Sequence, residues 1–212
     1  EASTTWTLQG LDELTGITHV DRDPTDPLYA KQWQFDLPAS HFQAIDGPGR
    51  PPAHKDFLLS HDALVGNIPD EEARWRRRHN YYLNCLRDVD RNIGAVLDEL
   101  EASGLADRTI IVLTADHGDM DGAHKLHAKG AVAYREQNNV PLIVVHPALK
   151  GGKQVHAVTT HLDLAPTFVG LTGIDAAKKA AITKDLPGKD LSGVLASPET
   201  AGLDAVREGA LF

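Results

Sequence analysis

The longest hydrophobic pattern in the chain has the period of a helix. Apolar side chains recur at steps of three and four residues from Tyr82 to Leu100 and form one stripe. Acidic residues after Pro69 suit a first helical turn, and Gly104 suits the left-handed position just past a helix C-terminus. The sequence therefore predicts one long amphipathic helix with one apolar stripe and a polar side.

Two shorter apolar runs predict strands. Thr109–Thr114 and Val140–Val145 show no polar alternation, which is typical of parallel strands covered on both faces. A short helix or turn is expected over Gly130–Asn139, and a second helix over Thr160–Leu171. The order helix, strand, loop, strand, helix indicates an α/β fold, with part of a mostly parallel sheet flanked by helices.

The first third of the chain has no persistent period. Pro and Asp recur through residues 1–68, which predicts a loop-rich region with short helices near Thr7–Leu14 and Asp56–Leu64. We therefore divide the sequence into a loop-rich region, residues 1–68, and an α/β portion, residues 69–212.

Composition narrows the class of protein. The 212 residues are 42% hydrophobic and 24% charged, which is ordinary for a globular domain with a core. A formal net charge of -9 disfavours nucleic acid as a partner, and no apolar run approaches the roughly 18 residues of a membrane span. The single cysteine, Cys85, excludes an internal disulfide, so the sequence does not decide between cytoplasm and periplasm.

Candidate chemistry is concentrated in the loop after the first strand. Carboxylates and imidazoles at a strand end suit a hard-to-borderline divalent cation, and Lys125 and Lys129 could neutralise an oxyanion beside it. The alternative is an Asp/Gly-rich turn with solvated charges. The polar residues of this loop are Asp116, His117, Asp119, Asp121, His124, Lys125, His127 and Lys129.

The same loop carries a family resemblance. TADHGD-x-x-G-x-H-x-L-x-x-K, followed by V-P-L-I-V and by D-L-A-P-T-F-x-x-L-x-G, resembles the C-terminal part of a type I sulfatase of the alkaline phosphatase superfamily. The likeness covers roughly residues 69–195. It implies an alkaline phosphatase-like sandwich from which the N-terminal half of the domain is absent here, and it makes residues 1–68 the variable region of that domain.

The resemblance also implies roles for individual residues. Asp116 and His117 match the family's metal-ligand pair, and Lys129 matches the lysine that contacts the sulfate oxygens. His124 matches a histidine frequent in this loop and is expected to contact the substrate or the residues around it. Asp163 is expected to cap a helix. Calcium is the implied metal, with manganese or magnesium as alternatives.

Parts of the family's machinery are missing from the sequence. No C/S-x-P-x-R motif occurs, so the formylglycine nucleophile is expected in an N-terminal half that would precede Glu1. The implied partners are a small-molecule sulfate ester and that half of the same enzyme, and a homo-oligomer is left open. The alternatives are a phosphonate monoester or phosphodiester hydrolase of the same superfamily and a non-catalytic metal-binding domain.

Overall fold

The computed structural model describes residues 27–210, and these form two compact units. The first comprises residues 27–106 and Leu113–Leu142, and the second Asp107–Val112 and residues 143–210. This division differs from the predicted boundary at residue 68, which stays a prediction. The helix expected near Thr7–Leu14 lies outside the described residues.

Helices α1 to α3 belong to the first unit. They are α1 (Pro52–Val65), α2 (Glu72–Ala102) and α3 (Arg135–Asn138). Pro52 stands in the first turn of α1, where a missing N–H costs nothing. The predicted helices near Asp56–Leu64 and within Gly130–Asn139 are thus confirmed, and the long helix begins three residues later than Pro69. Single 3-10 turns lie at Pro27–Ala30, Ala39–Phe42 and Ala123–Lys125.

The second unit contains the remaining helices. They are α4 (Leu164–Leu171), α5 (Ala176–Thr183) and α6 (Ser192–Ala196), with 3-10 turns at His161–Asp163 and Pro198–Thr200. A further 3-10 turn, Ala106–Arg108, spans the boundary between the two units along the chain. The predicted helix over Thr160–Leu171 is therefore a 3-10 turn that runs into α4. Helix α5 was not predicted, although Asp175 caps it by accepting the N–H of Lys178.

The sheet is smaller and more exposed than predicted. Strands β1 (Ile111–Thr114) and β2 (Leu142–Val145) pair in a two-stranded sheet, and β2 begins directly after Pro141. The expectation of strands covered on both faces is wrong for the described residues, because Leu113 is 38% and Ile143 52% exposed. The chain is thus a mixture of helices and a small sheet, and the larger parallel sheet stays a prediction.

Helix α2 has the predicted ends and an exposed apolar stripe. The ends of the helix match the sequence, since Gly104 has a φ of 67° just past its C-terminus. The stripe, however, is largely open to solvent, with Leu86 47%, Val89 52% and Val96 69% exposed. Periodicity identified the apolar side of the helix correctly, but no described residue packs over most of it. None of the described helices has the length and apolar character needed to cross a bilayer.

The core of the first unit is built largely from apolar side chains of the polar loop itself. Met120, Ala123, Leu126 and Val132 form a buried cluster, against which Phe57 and Leu58 of α1 pack. Helix α2 buries Trp75 and Asn84 instead of its stripe. Asn84 is fully satisfied there, because its side chain accepts from the Trp33 indole and donates to the carbonyls of Tyr29 and Lys31.

In the second unit a buried carboxylate ties distant segments together. Asp163 has no exposed surface, and its Oδ2 accepts the N–H of Thr160 at 2.8 Å, which closes a capping box. Its Oδ1 accepts the N–H of Lys189 at 2.7 Å and pairs with Arg207. The structure agrees with the prediction that Asp163 is a helix cap and adds a buried ion pair to that role.

Candidate functional site

Three of the predicted site residues converge where β1 ends. Asp116 and His117 follow the strand by two and three residues, and their Oδ2 and Nε2 atoms lie 3.3 Å apart. Lys129, twelve residues further along, brings its Nζ to 2.5 Å from the same His117 Nε2. The Asp116 side chain is 83% exposed and that of His117 is 35% exposed, so the group faces solvent. We call these residues the Asp116–His117–Lys129 group.

Hydrogen bonding fixes the tautomer of His117. Its Nδ1 lies 2.8 Å from the carbonyl oxygen of Gly118, which can only accept, so Nδ1 carries the proton. The lone pair of Nε2 therefore points to Lys129, whose ammonium donates to it. A hydrogen bond from the backbone N–H of His117 lowers the pKa of Asp116, and the charge of Lys129 adds to the effect. The group thus presents an ionised carboxylate and an imidazole lone pair side by side.

The loop between His117 and Lys129 is folded back on itself. The N–H of Met120 donates to the carbonyl of Ala128 at 2.9 Å, and the Asp119 carboxylate accepts the N–H groups of Asp121 and Ala128. Asp121, His124, Lys125 and Ala128 all have positive φ, a region that side chains with a Cβ seldom occupy. This tight path brings Lys129 back beside His117.

Gln137, on α3, holds the start of the loop through its backbone carbonyl and the end of the loop through its side chain. The Gly118 N–H donates to the Gln137 backbone carbonyl at 2.7 Å, and Gly130 exchanges two hydrogen bonds with the Gln137 amide. Gly118 is required at its position, because a Cβ there would lie 2.0 Å from the carbonyl oxygen of Glu136. Helix α3 is therefore the element that sets the width of the loop.

Two residues in the N-terminal part of α2 contact a carboxylate of the loop. Arg78 Nε and His79 Nδ1 approach the two carboxylate oxygens of Asp121 at 3.3 and 3.0 Å, contacts of charge rather than aligned hydrogen bonds. Burial raises the pKa of Asp121, and the charges of His79 and Arg78 oppose that rise. Neither Arg78 nor His79 was predicted as a residue of the site. No local signal could have found them, since their partner lies more than 40 residues away.

His124 contacts a different set of residues. Its ring stacks on Tyr134 with 3.8 Å between centroids, and its backbone carbonyl accepts from Arg50 at 2.8 Å. Burial lowers the pKa of His124, and the nearby charges of Arg50 and His54 lower it further while Glu136 opposes them. The imidazole is therefore neutral at pH 7, with a buried Nδ1 that has no hydrogen-bond partner among the described residues.

Of the two lysines proposed to meet an oxyanion, the structure brings only one to the group. Lys125 donates to the Asp70 carboxylate at 2.6 Å, so its charge is already paired. Lys129 donates only to the uncharged Nε2 of His117 in the contacts described for it. The ammonium of Lys129 is thus the cation in this loop that can meet an anionic ligand.

Comparisons with known proteins show a likeness at the level of the family. A family model described as "Sulfatase" matches residues 19–174. A curated sulfatase of Formosa agariphila is 33% identical over 164 residues, which are 72% of this chain and 31% of that protein. The chain spans under a third of the length of the first curated relatives that it matches.

Two solved structures are also similar to this chain. One, in complex with its substrate D-glucosamine-2-N,6-O-disulfate, is 29% identical and superposes with a TM-score of 0.58 over 76% of this chain and 33% of that chain. A phosphonate monoester hydrolase from Silicibacter pomeroyi is also 29% identical, with a TM-score of 0.65 over 77% of this chain and 32% of that chain. Both likenesses are to segments of much longer proteins.

Proposed function

This chain belongs to the sulfatase family, and on that premise we propose that the protein hydrolyses sulfate esters, with this segment supplying part of the catalytic site. The observation that carries the proposal is the convergence of Asp116, His117 and Lys129 at the end of β1. Asp116 and His117 would be metal ligands, and Lys129 would contact the sulfate oxygens. A small-molecule sulfate ester is the proposed substrate class.

The residues present fit a divalent cation. The 3.3 Å between Asp116 Oδ2 and His117 Nε2 is close to the ~3 Å that separates neighbouring ligands around an octahedral ion of this size. Calcium is the metal that the family implies, while an imidazole ligand suits a more borderline metal better than it suits calcium, so manganese is the first alternative. When bound, such an ion supplies Lewis-acid stabilisation of charge on the sulfate oxygens.

Lys129 has a role that follows from its present contact. It cannot donate to His117 Nε2 while that atom holds a cation, so its ammonium then becomes available to an anionic oxygen. The attraction between an ammonium and the oxygens of a sulfuryl group is stronger in a site shielded from water than in solution. We therefore assign Lys129 to charge stabilisation rather than to proton transfer.

We assign His124 to contact with the substrate or with the residues around it. A neutral imidazole stacked on Tyr134 is held rigidly, and its burial favours donating or accepting one hydrogen bond over carrying charge. It is thus suited to orienting a neighbouring group.

Further elements are needed from the rest of the polypeptide. The loop contributes one carboxylate and one imidazole, whereas calcium takes six to eight oxygen ligands in proteins. We propose that the N-terminal half of the same enzyme contributes the other ligands and the formylglycine nucleophile. That half would also cover the exposed apolar stripe of α2, where Val96 is 69% exposed. The alternative of a non-catalytic metal-binding domain predicts neither contribution.

The rival reaction has an observation in its favour, because a phosphonate monoester hydrolase is among the similar structures. Turnover of an aryl sulfate and of an aryl phosphonate by the complete enzyme separates the two functions. We expect the sulfate to be preferred, and a large preference for the phosphonate would overturn the sulfatase proposal. Turnover of neither ester would favour the non-catalytic domain.

The role of Lys129 is tested in the same assay. Lys129→Ala is expected to lower the turnover number by about 10²–10³, the usual cost of losing one group that stabilises an oxyanion. Lys125→Ala is the matched control, since this lysine lies in the same loop but is paired with Asp70. Equal effects of the two substitutions would contradict the assignment.

A further inference from the structure

A second cluster of metal-binding side chains lies between α1 and the loop. His61 and Asp62 stand near the C-terminus of α1, and His127 projects from the loop two residues before Lys129. One potential ligand atom from each of the three lies within 4.8 Å of the others. The cluster shares no residue with the Asp116–His117–Lys129 group, and we call it the His61–Asp62–His127 cluster.

The distances suit a tetrahedral ion. Zinc binds imidazole nitrogen and carboxylate oxygen at about 2.0–2.1 Å, which places neighbouring ligands about 3.3 Å apart. Asp62 Oδ1 and His127 Nε2 are 3.5 Å apart, one edge of such a tetrahedron. The rings of His61 and His127 meet edge to face with centroids 4.3 Å apart, and a potential ligand atom of His61 lies within 4.8 Å of those of the other two residues.

The cluster contains a polar atom that the protein leaves unsatisfied. His61 Nδ1 is buried and has no hydrogen-bond partner among the described residues. His127 is only 6% exposed, and its one polar contact at Nε2 is the long approach to Asp62. Leaving the buried His61 nitrogen unpaired costs about 1–3 kcal/mol, which indicates a ligand rather than a finished polar network.

The electrostatic surroundings favour a cation over a second proton. Burial lowers the pKa of His127 to about 4, with the charges of His61 and Arg78 acting in the same direction and Asp62 opposing them. The imidazole is therefore neutral at pH 7, which is the form that binds metal. The positive charge of Arg78 is offset by its contacts with Asp119 and Asp121. Asp62 supplies the one negative charge of the cluster.

We propose that His61, Asp62 and His127 bind a first-row transition-metal dication of the zinc class, with water as the fourth ligand. The ion joins α1 to the loop that carries Lys129, so its role is to hold the loop in place. Two imidazoles and one carboxylate are softer than an all-oxygen set, and this donor set selects zinc, cobalt or nickel over calcium. The site does not depend on the reaction that the protein catalyses.

Metal titration with cobalt tests the proposal. The chelator-treated protein carrying Asp116→Ala, in which the other pair is disabled, is titrated with Co²⁺ at neutral pH. Visible absorption then reports the geometry and calorimetry with Zn²⁺ reports the affinity. We expect one ion per chain with the intense bands of four-coordinate cobalt, and a higher melting temperature with excess Zn²⁺.

Substitutions in the same background locate the site. His61→Gln is expected to weaken Zn²⁺ binding by more than the ~10–100-fold that the loss of an outer-shell partner costs. His54 lies on the same helix, but its ring is hydrogen-bonded to Tyr134. His54→Gln is therefore the matched control and should bind Zn²⁺ as tightly as the parent. Absence of Co²⁺ binding, octahedral cobalt alone, or equal affinity in the two variants would each overturn the proposal. None of these readouts uses turnover, so the outcome is independent of the sulfatase assignment.

Discussion

His127 should make the protein sensitive to mild acid. Its side chain is 6% exposed, and burial lowers its pKa from 6.5 to about 4. Between these two values the unfolded chain binds a proton at this residue and the folded chain does not. Acidification therefore stabilises the unfolded state: the contribution is complete above about pH 6.5 and is lost as the pH falls towards 4. At about 1.4 kcal/mol per pH unit, the full loss is about 3 kcal/mol.

Denaturant unfolding with a chelator present measures this loss. The free energy of unfolding is compared at about pH 7 and about pH 4.5 for the parent, for His127→Gln and for the control His156→Gln, whose side chain is exposed. Other groups titrate in this range, so the informative quantity is the difference between parent and variant. We expect His127→Gln to lose about 2–3 kcal/mol less on acidification than the parent and the control. Equal losses in all three proteins would refute the reasoning.

Three further substitutions test the site and the fold. Asp116→Ala should lower the divalent-metal content found by elemental analysis of the complete enzyme while leaving the melting temperature measured with a chelator unchanged, because this carboxylate is 83% exposed. Asp163→Ala should cost about 3–5 kcal/mol in denaturant unfolding, because it leaves Arg207 and two backbone N–H groups without their buried acceptor; a loss below ~1 kcal/mol would contradict the ion-pair role. Gly118→Ala should reduce turnover of the complete enzyme, because its Cβ would meet a carbonyl oxygen at 2.0 Å, whereas Gly94→Ala in open space should not.

Local patterns predicted most of the helices and their ends. The period of three and four residues located α2, Gly104 identified its end through a left-handed φ, and Thr160 with Asp163 formed the capping box expected of a helix start. Each of these features is decided within a few residues of chain. Helix α5 was overlooked because its Ala- and Lys-rich sequence has no strong apolar face, and it depends on the Asp175 cap.

Burial and the partners of charged residues could not be predicted in the same way. Periodicity shows which side of α2 is apolar, but it does not show what covers that side. The contacts of Arg78 with Asp121 and of His61 with His127 join residues more than 40 positions apart, so they depend on the path of the whole loop. That path in turn depends on positive φ at residues such as His124 and Lys125, which their residue types do not suggest.

Two shortages in the first unit have one physical explanation. The apolar stripe of α2 lacks a cover among the described residues, and the Asp116–His117 pair offers two of the ligands that a divalent cation requires. An exposed apolar stripe is costly in water. Two ligands in solvent bind a cation weakly. A further segment of polypeptide that packed on α2 and brought carboxylates to the end of β1 would remove both costs at once. The metal site and the hydrophobic core of the complete enzyme should therefore form together. Removing that further segment should abolish both metal retention and the cooperativity of folding.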